Sequence, residues 1–428
     1  MKLRIMDNDV EKVIVNNEER DVECNDEITL FDPKDVPELL ESTGEKFERL
    51  YIEYEKKGGI RKKRVKARDI AYLVSKIRNE TGNLYMFFDD NANKQTPFNE
   101  YINSSNLCTE IFLPSRGPKL LSNNIIENWD EKKPIINIEH EGLISLCNLS
   151  SITITEWTKL NEEQKQKTVY MLLRAHDNEI DTATYPVKEG EIGNKLNRPI
   201  GIGISSLAVH FAKNGIKFSD EDKALKEMFN IMEDIAWHIY DASNKLAQER
   251  GKFFNYYKTK WADGWLPIDD FKNVFEKYAT EEQKNRWEEL RERIKKYGVR
   301  FSTHIAIAPT ATSSLILPEG SEGIEPVKQL IATKTGTYTC KQFVPGVRKW
   351  GMNYEVAWDV PNDNLLKLAQ IRQVFIDQGQ SINTYTRSPH SAYETFRDIV
   401  KAEELGLKSL YYLNMPKGEI EICENCQS

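Results

Sequence analysis

The amino-acid sequence predicts an α/β protein. Short apolar runs that are typical of buried strands occur at residues 84–88 (LYMFF), 143–149 (LISLCNL) and 302–308 (STHIAIA). Longer segments between them carry apolar residues at every third or fourth position, which predicts helices. Because strands that alternate with helices usually pair side by side in the same direction, we expect a largely parallel sheet.

The predicted elements follow one another along the whole chain. Helices are predicted at residues 44–80, 219–251, 364–377 and 391–405. Strands are predicted at residues 13–15, 84–88, 106–113, 143–149, 302–308 and 410–413. The helix over 219–251 is the clearest, because Ser219 and Asp222 have the spacing of an N-terminal cap and Gly251 is a typical C-terminal stop.

Composition excludes several classes of protein. The chain has 428 residues and a net charge of −8, which disfavours broad nucleic-acid binding because that depends on neutralising phosphates. It has no apolar stretch near the roughly 20 residues that span a bilayer, and its start does not resemble a signal peptide. We therefore expect a cytoplasmic protein, in which the six cysteines are thiols rather than a disulfide framework.

The strongest local motif is Asn106-Leu107-Cys108-Thr109-Glu110. In an extended chain alternate side chains share a face, so the amide, the thiol and the carboxylate would reach one small substrate. A glutamate can act as a general base, and an amide can hold a hydroxyl or a developing oxyanion. The alternative interpretation is a partly buried cysteine between ordinary polar residues on a strand.

A second motif, Cys423-Glu424-Asn425-Cys426, lies in the polar segment 416–428, which we expect to be flexible. Two thiols at this spacing can exchange with a disulfide, and the spacing tends to lower a thiol pKa. Half of a zinc site is the alternative, but the sequence offers no second pair at ligand spacing. A redox pair is therefore favoured over a metal site.

The role of two further segments cannot be decided from the local sequence alone. Hydroxyls and backbone N–H groups that follow a strand and open a helix can cradle a phosphate, and such a run is Pro309, Thr310, Ala311, Thr312 and Ser313. A plain turn rich in serine and threonine would look the same.

Tyr411 and Tyr412 would ordinarily be two core aromatics. The run GIGISS at 201–206 lacks the third glycine of a dinucleotide loop, and we expect a tight lead-in to a helix there.

Taken together, these motifs resemble the large subunit of class I ribonucleoside-diphosphate reductases. NLCTEIFLPS at 106–115 resembles the finger loop of that family, LISLCNLSS its second active-site cysteine segment, and PTATSSLILPEGSEGIEP its phosphate-binding loop. RPIGIGISSLA, SLYYLNMP and the terminal CENC are also similar, and all six segments occur in the family's order. The resemblance extends from about Ile28 to the end of the chain.

The resemblance implies a role for each motif. Cys108 would carry a transient thiyl radical that abstracts the substrate 3′-hydrogen, Glu110 would take the 3′-hydroxyl proton, and Asn106 would hydrogen-bond the substrate. Cys147 would be one of two cysteines that reduce the 2′ position and finish as a disulfide. The loop at 309–313 would bind the substrate diphosphate.

The same resemblance implies partners and no directly bound cofactor. Tyr411 and Tyr412 would relay the radical from a small, metal-containing subunit. Cys423 and Cys426 would reduce the active-site disulfide and be recycled by thioredoxin or glutaredoxin. Nucleotide effectors would bind mainly on the part of the large subunit that this sequence does not match.

The family fold implied is a ten-stranded α/β barrel, of which this chain would supply the finger loop, the second half-barrel and a C-terminal helical and αβ region. We expect three parts: an unmatched tail at 1–26, the barrel portion and C-terminal region at 27–415, and the redox tail at 416–428. The family's N-terminal half would then come from a second polypeptide, and the isolated chain would be inactive. One alternative is a catalytically silent remnant that binds the small subunit or nucleotide. Another is a stand-alone thiol oxidoreductase, but that would require a thioredoxin-like βαβ unit around the Cys423-x-x-Cys426 motif, which the tail lacks.

Overall fold

The computed structural model describes residues 12–15, 18–21, 27–128, 133–317, 319–335, 339–387 and 391–416. The motif Cys423-x-x-Cys426 and Cys24 lie outside these described residues. The described part divides into two compact units. One unit contains the residues up to Asn93 together with those from Ile382 onward, and the other contains Lys94–Ser381.

Helices and strands alternate through the described residues. The strands are β1 Lys12–Val15, β2 Glu18–Asp21, β3 Glu27–Phe31, β4 Lys62–Lys66, β5 Met86–Phe87, β6 Arg116–Asn128, β7 Lys133–Leu143, β8 Leu149–Thr153, β9 Gly201–Ser205, β10 Ile331–Thr335, β11 Thr339–Phe343, β12 Thr384–Tyr385, β13 Ser409–Leu410 and β14 Leu413–Asn414. The α-helices are α1 Gly44–Lys56, α2 Ala67–Thr81, α3 Asp89–Lys94, α4 Ile154–Trp157, α5 Glu162–Thr182, α6 Lys188–Asn197, α7 Leu207–Lys213, α8 Glu221–Arg250, α9 Lys272–Tyr278, α10 Glu281–Tyr297, α11 Val347–Trp350, α12 Asn362–Gln373 and α13 Ala392–Glu404.

The α/β class is confirmed, but the sheets are smaller than expected. Every sheet among the described strands is two-stranded, and no closed barrel is present among them. The pairs β8–β9 and β12–β14 are parallel, whereas the other pairs are antiparallel. The expectation of a largely parallel sheet is therefore wrong for the named strands as a whole, although it holds around β9.

In the first unit, the helix predicted over residues 44–80 is interrupted by a strand. Helix α1 ends at Lys56, and Gly58 and Gly59 follow it, the latter with a φ of 76° that favours glycine. Residues 62–66 then pair antiparallel with β3, in the register Glu27↔Lys66 to Phe31↔Lys62. The apolar spacing is similar in the two flanking helices, and the sequence pattern therefore predicts one continuous helix.

The second unit is built on parallel extended segments around β9, all of whose residues are buried. Strand β8 pairs with one edge of β9. On the other edge the amide of Ile202 donates to the carbonyl of His304 at 2.8 Å, and the amide of Ala306 donates to the carbonyl of Ile202 at 3.3 Å. The next segment pairs in turn, because Ile307 forms a parallel bridge with Gln380. The predicted strand at 302–308 is thus paired on both sides, although none of it belongs to a named strand.

The glycines of the GIGISS run serve this pairing and not a dinucleotide loop, and the run leads directly into a helix, as expected. A Cβ atom on Gly203 would lie 2.9 Å from the Ala306 carbonyl oxygen, and one on Gly201 would lie 2.9 Å from the Ala306 Cβ atom. Only glycine permits so close an approach of the neighbouring backbone. The run is a strand, and α7 begins directly after Ser206.

The long helix of the second unit is confirmed, with a different start. Helix α8 spans Glu221–Arg250, is buried along much of its length, and ends at Gly251 with a φ of 83°. Ser219 does not cap it, since its hydroxyl donates to the Glu355 carboxylate and the N-cap position is Asp220. The helices predicted at 364–377 and 391–405 correspond to α12 and α13. Within the described part of the chain, no helix is both long enough and apolar enough to cross a bilayer.

A buried carboxylate fixes the segment beside β9. Asp377 accepts hydrogen bonds from the amides of His304 (2.8 Å) and Ile305 (3.0 Å) and lies 3.0 Å from the His304 ring nitrogen Nδ1. The other ring nitrogen lies 2.8 Å from the Ser243 hydroxyl. Ser243, His304 and Asp377 have the residue types of a hydrolase catalytic triad. All three are fully buried, so we assign them a structural role rather than a catalytic one.

Replacing Gly203 by alanine should destabilise the second unit by roughly 1–3 kcal/mol, because the added methyl group meets backbone atoms that cannot move away cheaply. The measurement is urea unfolding followed by tryptophan fluorescence, since all eight tryptophans lie between positions 94 and 381. Gly351→Ala is the matched control, because its Cβ atom would make only an ordinary contact with Val347. Equal unfolding midpoints for the two variants would contradict the close approach at β9.

Candidate active site

The finger loop, residues 106–115, is a tight turn and not the strand that was predicted. The amide of Thr109 donates to the carbonyl of Asn106 at 3.1 Å, and the amide of Asn106 donates to the carbonyl of Ile111 at 3.2 Å. Thr109 has a φ of 63°, which is costly for a β-branched residue by about 1–2 kcal/mol. The Asn106 side-chain oxygen stabilises the turn by accepting from the amides of Glu110 and Ile111.

This turn brings Asn106 and Glu110 into direct contact. The Asn106 side-chain amide donates to Oε1 of Glu110 at 2.8 Å, and the Ser381 hydroxyl lies 3.2 Å from Oε2. Burial raises the pKa of Glu110, which is 1% exposed, while the hydrogen bonds from Asn106 and Ser381 oppose the rise. A carboxyl group with a raised pKa is better suited to exchange a proton near neutral pH.

Cys108 lies at the tip of the same turn as a half-buried thiol that is not in a disulfide. Its carbonyl oxygen accepts a hydrogen bond from the Ser381 hydroxyl at 2.6 Å. Behind it, Phe112 donates its amide to the side chain of Gln378 at 2.7 Å. The amide of Gly379 donates to the carbonyl of Glu110 at 2.8 Å. The finger loop is therefore held along its length by residues 378–381.

Cys147 stands on an irregular segment rather than on the strand predicted at 143–149. Strand β7 ends at Leu143 and β8 begins at Leu149, which leaves 144–148 as coil. Cys147 is exposed and carries a free thiol. Partial burial of its sulfur, the Glu110 carboxylate and the Cys108 thiol together raise the pKa of Cys147 to about 11, which places it in the electrostatic neighbourhood of both groups.

Asn106 and Cys147 line the same open cavity, whose volume is about 400 Å³. Its remaining walls come from the finger loop and the two residues before it, and from both ends of the β6–β7 hairpin with the two residues after it. They are Ser104, Ser105, Ile111, Leu113, Ser115, Arg116, Gly117, Leu143, Ile144 and Ser145. The serine hydroxyls and the asparagine amide among these residues, together with the apolar side chains, suit a small polar ligand.

The segment at 309–313 forms an exposed loop in the same unit. The hydroxyl oxygen of Thr310 accepts from the amide of Gly323 at 2.8 Å. Pro309, Thr312 and Ser313 are exposed, and Ala311 is half-buried. The loop opens a single 3-10 turn at Ser313–Ile316 and not the helix that was expected. It begins two residues after Ile307, whose carbonyl accepts from the amide of Ser381 at 2.9 Å.

Tyr411 and Tyr412 belong to the other unit and form part of an aromatic cluster. Their ring centroids are 4.1 Å apart, and Tyr85 lies 4.6 Å from the first ring and 5.1 Å from the second. The buried Arg78 donates to the carbonyls of Leu84 (2.7 Å) and Tyr411 (2.9 Å). These bonds hold the backbone on both sides of the cluster in place.

One group of side chains has the composition of a metal site. Ligand atoms of Glu162, Asp234 and His238 lie within 4.8 Å of one another. The ammonium group of Lys165 is already 3.1 Å from Glu162 and 2.9 Å from Asp234. A cation that belongs to the protein therefore neutralises both carboxylates, and we assign this group to ion pairing between α5 and α8.

Sequence reasoning missed three residues of these sites. Ser381 and Gln378 hold the finger loop, and Tyr85 completes the tyrosine cluster. No local motif marks them, because each acts on a residue that is far away in the sequence. Ser381 is 273 positions from Cys108. The side chain of Cys340 and the redox motif Cys423-x-x-Cys426 lie outside the described side chains.

Cys147 should be alkylated slowly near neutral pH. With a pKa of about 11, at pH 8 it holds roughly 200-fold less thiolate than a thiol with the ordinary pKa of about 8.5. We expect the rate of iodoacetamide labelling, measured on the Cys147 peptide by mass spectrometry, to keep rising up to pH 11. In Glu110→Gln the curve should shift to lower pH, because a nearby negative charge is removed. A plateau near pH 9 in the unmodified chain would contradict this prediction.

Comparison with known proteins gives one consistent family. The family model described as ribonucleotide reductase, barrel domain, matches residues 13–349 and 345–413. The match begins before residue 27, and therefore includes part of the segment that sequence motifs alone left unmatched.

Individual relatives agree with this match. The ribonucleoside-diphosphate reductase subunit alpha of Buchnera aphidicola subsp. Baizongia pistaciae is 37% identical over 91% of this chain and 51% of its own length. The corresponding subunit of Haemophilus influenzae is 35% identical over 93% of this chain and 52% of its length. The ribonucleoside-diphosphate reductase 1 subunit alpha of Escherichia coli is 35% identical over 92% of this chain and 51% of its length. The chain spans about half the length of these relatives, and it belongs to the ribonucleotide reductase family through the barrel domain of the large subunit.

Proposed function

We propose that this chain forms the finger-loop part of the active site of a ribonucleoside-diphosphate reductase, which makes 2′-deoxyribonucleoside diphosphates by thiyl-radical chemistry. The observation that carries the proposal is the hydrogen-bonded turn that contains Asn106, Cys108 and Glu110, with Cys147 lining the same cavity as Asn106. Family membership supports the same activity.

Each residue of the turn would have one task. A sulfur radical on Cys108 would take the 3′-hydrogen of the substrate and return it once the 2′ position is reduced, which restores the radical. Glu110 would accept the proton of the 3′-hydroxyl. Burial raises the pKa of Glu110, which makes it able to return that proton later. Asn106, which already donates to Glu110, would hold the same hydroxyl.

The 2′ position would be reduced by Cys147 and a second cysteine on the complementary half of the large subunit. Two thiols supply two electrons and two hydrogens, the 2′-oxygen leaves as water, and the sulfurs join as a disulfide. Cys423 and Cys426 would reduce that disulfide by exchange and would then be reduced by thioredoxin or glutaredoxin.

The loop at 309–313 would bind the substrate diphosphate. Its exposed hydroxyls at Thr312 and Ser313, and the backbone amides of its turn, are donors that suit phosphate oxygens. The bond from Gly323 to Thr310 would keep the loop in shape before the substrate arrives.

The radical would reach Cys108 through Tyr411 and Tyr412 from a small, metal-containing subunit. The 4.1 Å separation of the two rings suits transfer between them. The complementary N-terminal half would complete the ten-stranded barrel around the finger loop and would carry most of the effector sites. The parts at 1–26, 27–415 and 416–428 would then act as tail, barrel portion and redox tail of a protein in the cytoplasm.

Reduction of cytidine diphosphate tests this function. We expect product only when the chain is mixed with the complementary half, the small subunit and a dithiol reductant. Cys108→Ala should reduce turnover to background, because no sulfur remains to carry the radical. Cys24→Ala is the matched control, since its surroundings do not resemble any active-site segment.

Two other results are informative. Activity of the chain alone would contradict the need for a complementary half. Binding of the small subunit without turnover in any mixture would favour the alternative of a catalytically silent remnant.

Tyr411→Phe and Tyr412→Phe should each abolish turnover in the same mixture, because phenylalanine has no hydroxyl hydrogen to give up. Binding of cytidine diphosphate, measured by calorimetry, should stay unchanged. Tyr393→Phe is the control, since this tyrosine of α13 is 69% exposed and lies in the same unit. Full turnover in both variants would show that the pair is not a relay.

A further inference from the structure

Ser381 occupies a place in the candidate site that no motif assigned. Its hydroxyl oxygen is 2.6 Å from the Cys108 carbonyl oxygen and 3.2 Å from Oε2 of Glu110. The side chain is 4% exposed, so bulk water does not compete for either contact. One hydroxyl thus links the backbone of the proposed radical cysteine to the carboxyl group of the proposed base.

The chemistry of a hydroxyl limits what these two contacts can be. It has one hydrogen to donate and two lone pairs with which to accept. When Glu110 is ionised, the Ser381 hydrogen can point to either oxygen. When Glu110 is protonated, its own O–H can donate to Ser381, whose hydrogen then goes to the Cys108 carbonyl. The contact can therefore form in both protonation states, but Ser381 donates to the carboxyl group only when Glu110 is ionised.

We propose that Ser381 is a positioning residue that holds Glu110 and the Cys108 peptide in one arrangement while Glu110 gains and loses its proton. The inference deepens the proposed function, because that reaction requires Glu110 to accept a proton and return it. Ser381 does not touch the substrate in this proposal and acts only through its two neighbours.

The backbone around Ser381 is rigid enough for this task. Its amide donates to the Ile307 carbonyl at 2.9 Å. Two residues earlier, the amide of Gly379 donates to the Glu110 carbonyl at 2.8 Å. A Cβ atom on Gly379 would lie 2.3 Å from the Phe112 ring, so the two segments are in close contact. The hydroxyl is therefore presented from a fixed point and does not depend on a mobile side chain.

Among the described residues, one titratable group faces Glu110 electrostatically, the thiol of Cys147, whose pKa is raised by partial burial, by the Glu110 carboxylate and also by the Cys108 thiol. The amide of Asn106 is the other side-chain donor to Glu110. Removing the Ser381 hydroxyl would leave the ionised carboxylate with the Asn106 side chain and its own backbone amide as donors, and would favour the protonated form.

The test follows the ionisation of Glu110 directly in the full chain. Glutamate labelled with carbon-13 at Cδ gives one carboxyl signal per residue, and loss of a signal in Glu110→Gln assigns that of Glu110. We expect the titration midpoint of this signal to rise by roughly one pH unit in Ser381→Ala, because a hydrogen bond to a charged group is lost. Ser381→Thr, which keeps the hydroxyl, should restore the midpoint.

Ser302→Ala is the matched control, since Ser302 is fully buried in the same unit and its hydroxyl has no hydrogen-bond partner among the described residues. It should leave the Glu110 midpoint unchanged. Ser381→Cys provides a second variant of similar size with a weaker donor, and should shift the midpoint in the same direction by a smaller amount. An unchanged midpoint in both Ser381→Ala and Ser381→Cys would overturn the proposal.

Turnover provides a separate measurement. In the active mixture, the acidic limb of the kcat/KM profile should move to higher pH in Ser381→Ala by the same amount as the carbon-13 midpoint, and return in Ser381→Thr. A loss of turnover without any shift of that limb would mean a purely structural role and would overturn the proposal. If no mixture is active, the proposed reductase function fails, while the carbon-13 titration still decides the role of Ser381.

Discussion

The candidate active site depends on one buried carboxylate, that of Asp377. Its oxygens accept from the amides of His304 and Ile305, which fixes the start of the segment 377–381 against the chain that pairs with β9. Each such bond would cost about 1–3 kcal/mol to leave unmade in the interior. Three of the four residues that follow Asp377 then bind the finger loop, namely Gln378, Gly379 and Ser381. The position of Cys108 therefore depends on a hydrogen-bond network behind it.

Around that anchor the chain accepts locally unfavourable conformations. Thr109 adopts a left-handed φ of 63°, and Gly379 is pressed against the ring of Phe112. Glu110 is buried although it can ionise. Local strain and buried charge of this kind persist only where the surrounding structure holds them, and they are concentrated at functional sites. Here the two side-chain donors to Glu110 and the bonds from 378–381 supply that support.

The sequence predicted this site partly for the wrong reason. Asn106 and Glu110 were expected to share a face because alternate residues of a strand do so. In the structure they meet because the chain turns, and the side-chain oxygen of Asn106 holds that turn. The prediction of proximity was correct for this pair, whereas the prediction of an extended segment was wrong. A similar error joined α1 and α2 into one helix, since periodicity alone does not register the pairing of 62–66 with β3.

By itself, the sequence determined what depends on neighbours along the chain. The 3.6-residue apolar repeat predicted α8, Gly251 predicted its end, and the spacing of Asn106, Cys108 and Glu110 indicated a site. Only the tertiary structure decided that Ser381, Gln378 and Tyr85 belong beside those motifs. Their contacts join residues up to 327 positions apart, as between Tyr85 and Tyr412, or 273 apart, as between Ser381 and Cys108. A hydrogen bond or ring contact between such distant residues forms only after distant segments have paired. These are the parallel segments around β9 in one case and the strands β5 and β13 in the other, and no local sequence pattern encodes that pairing.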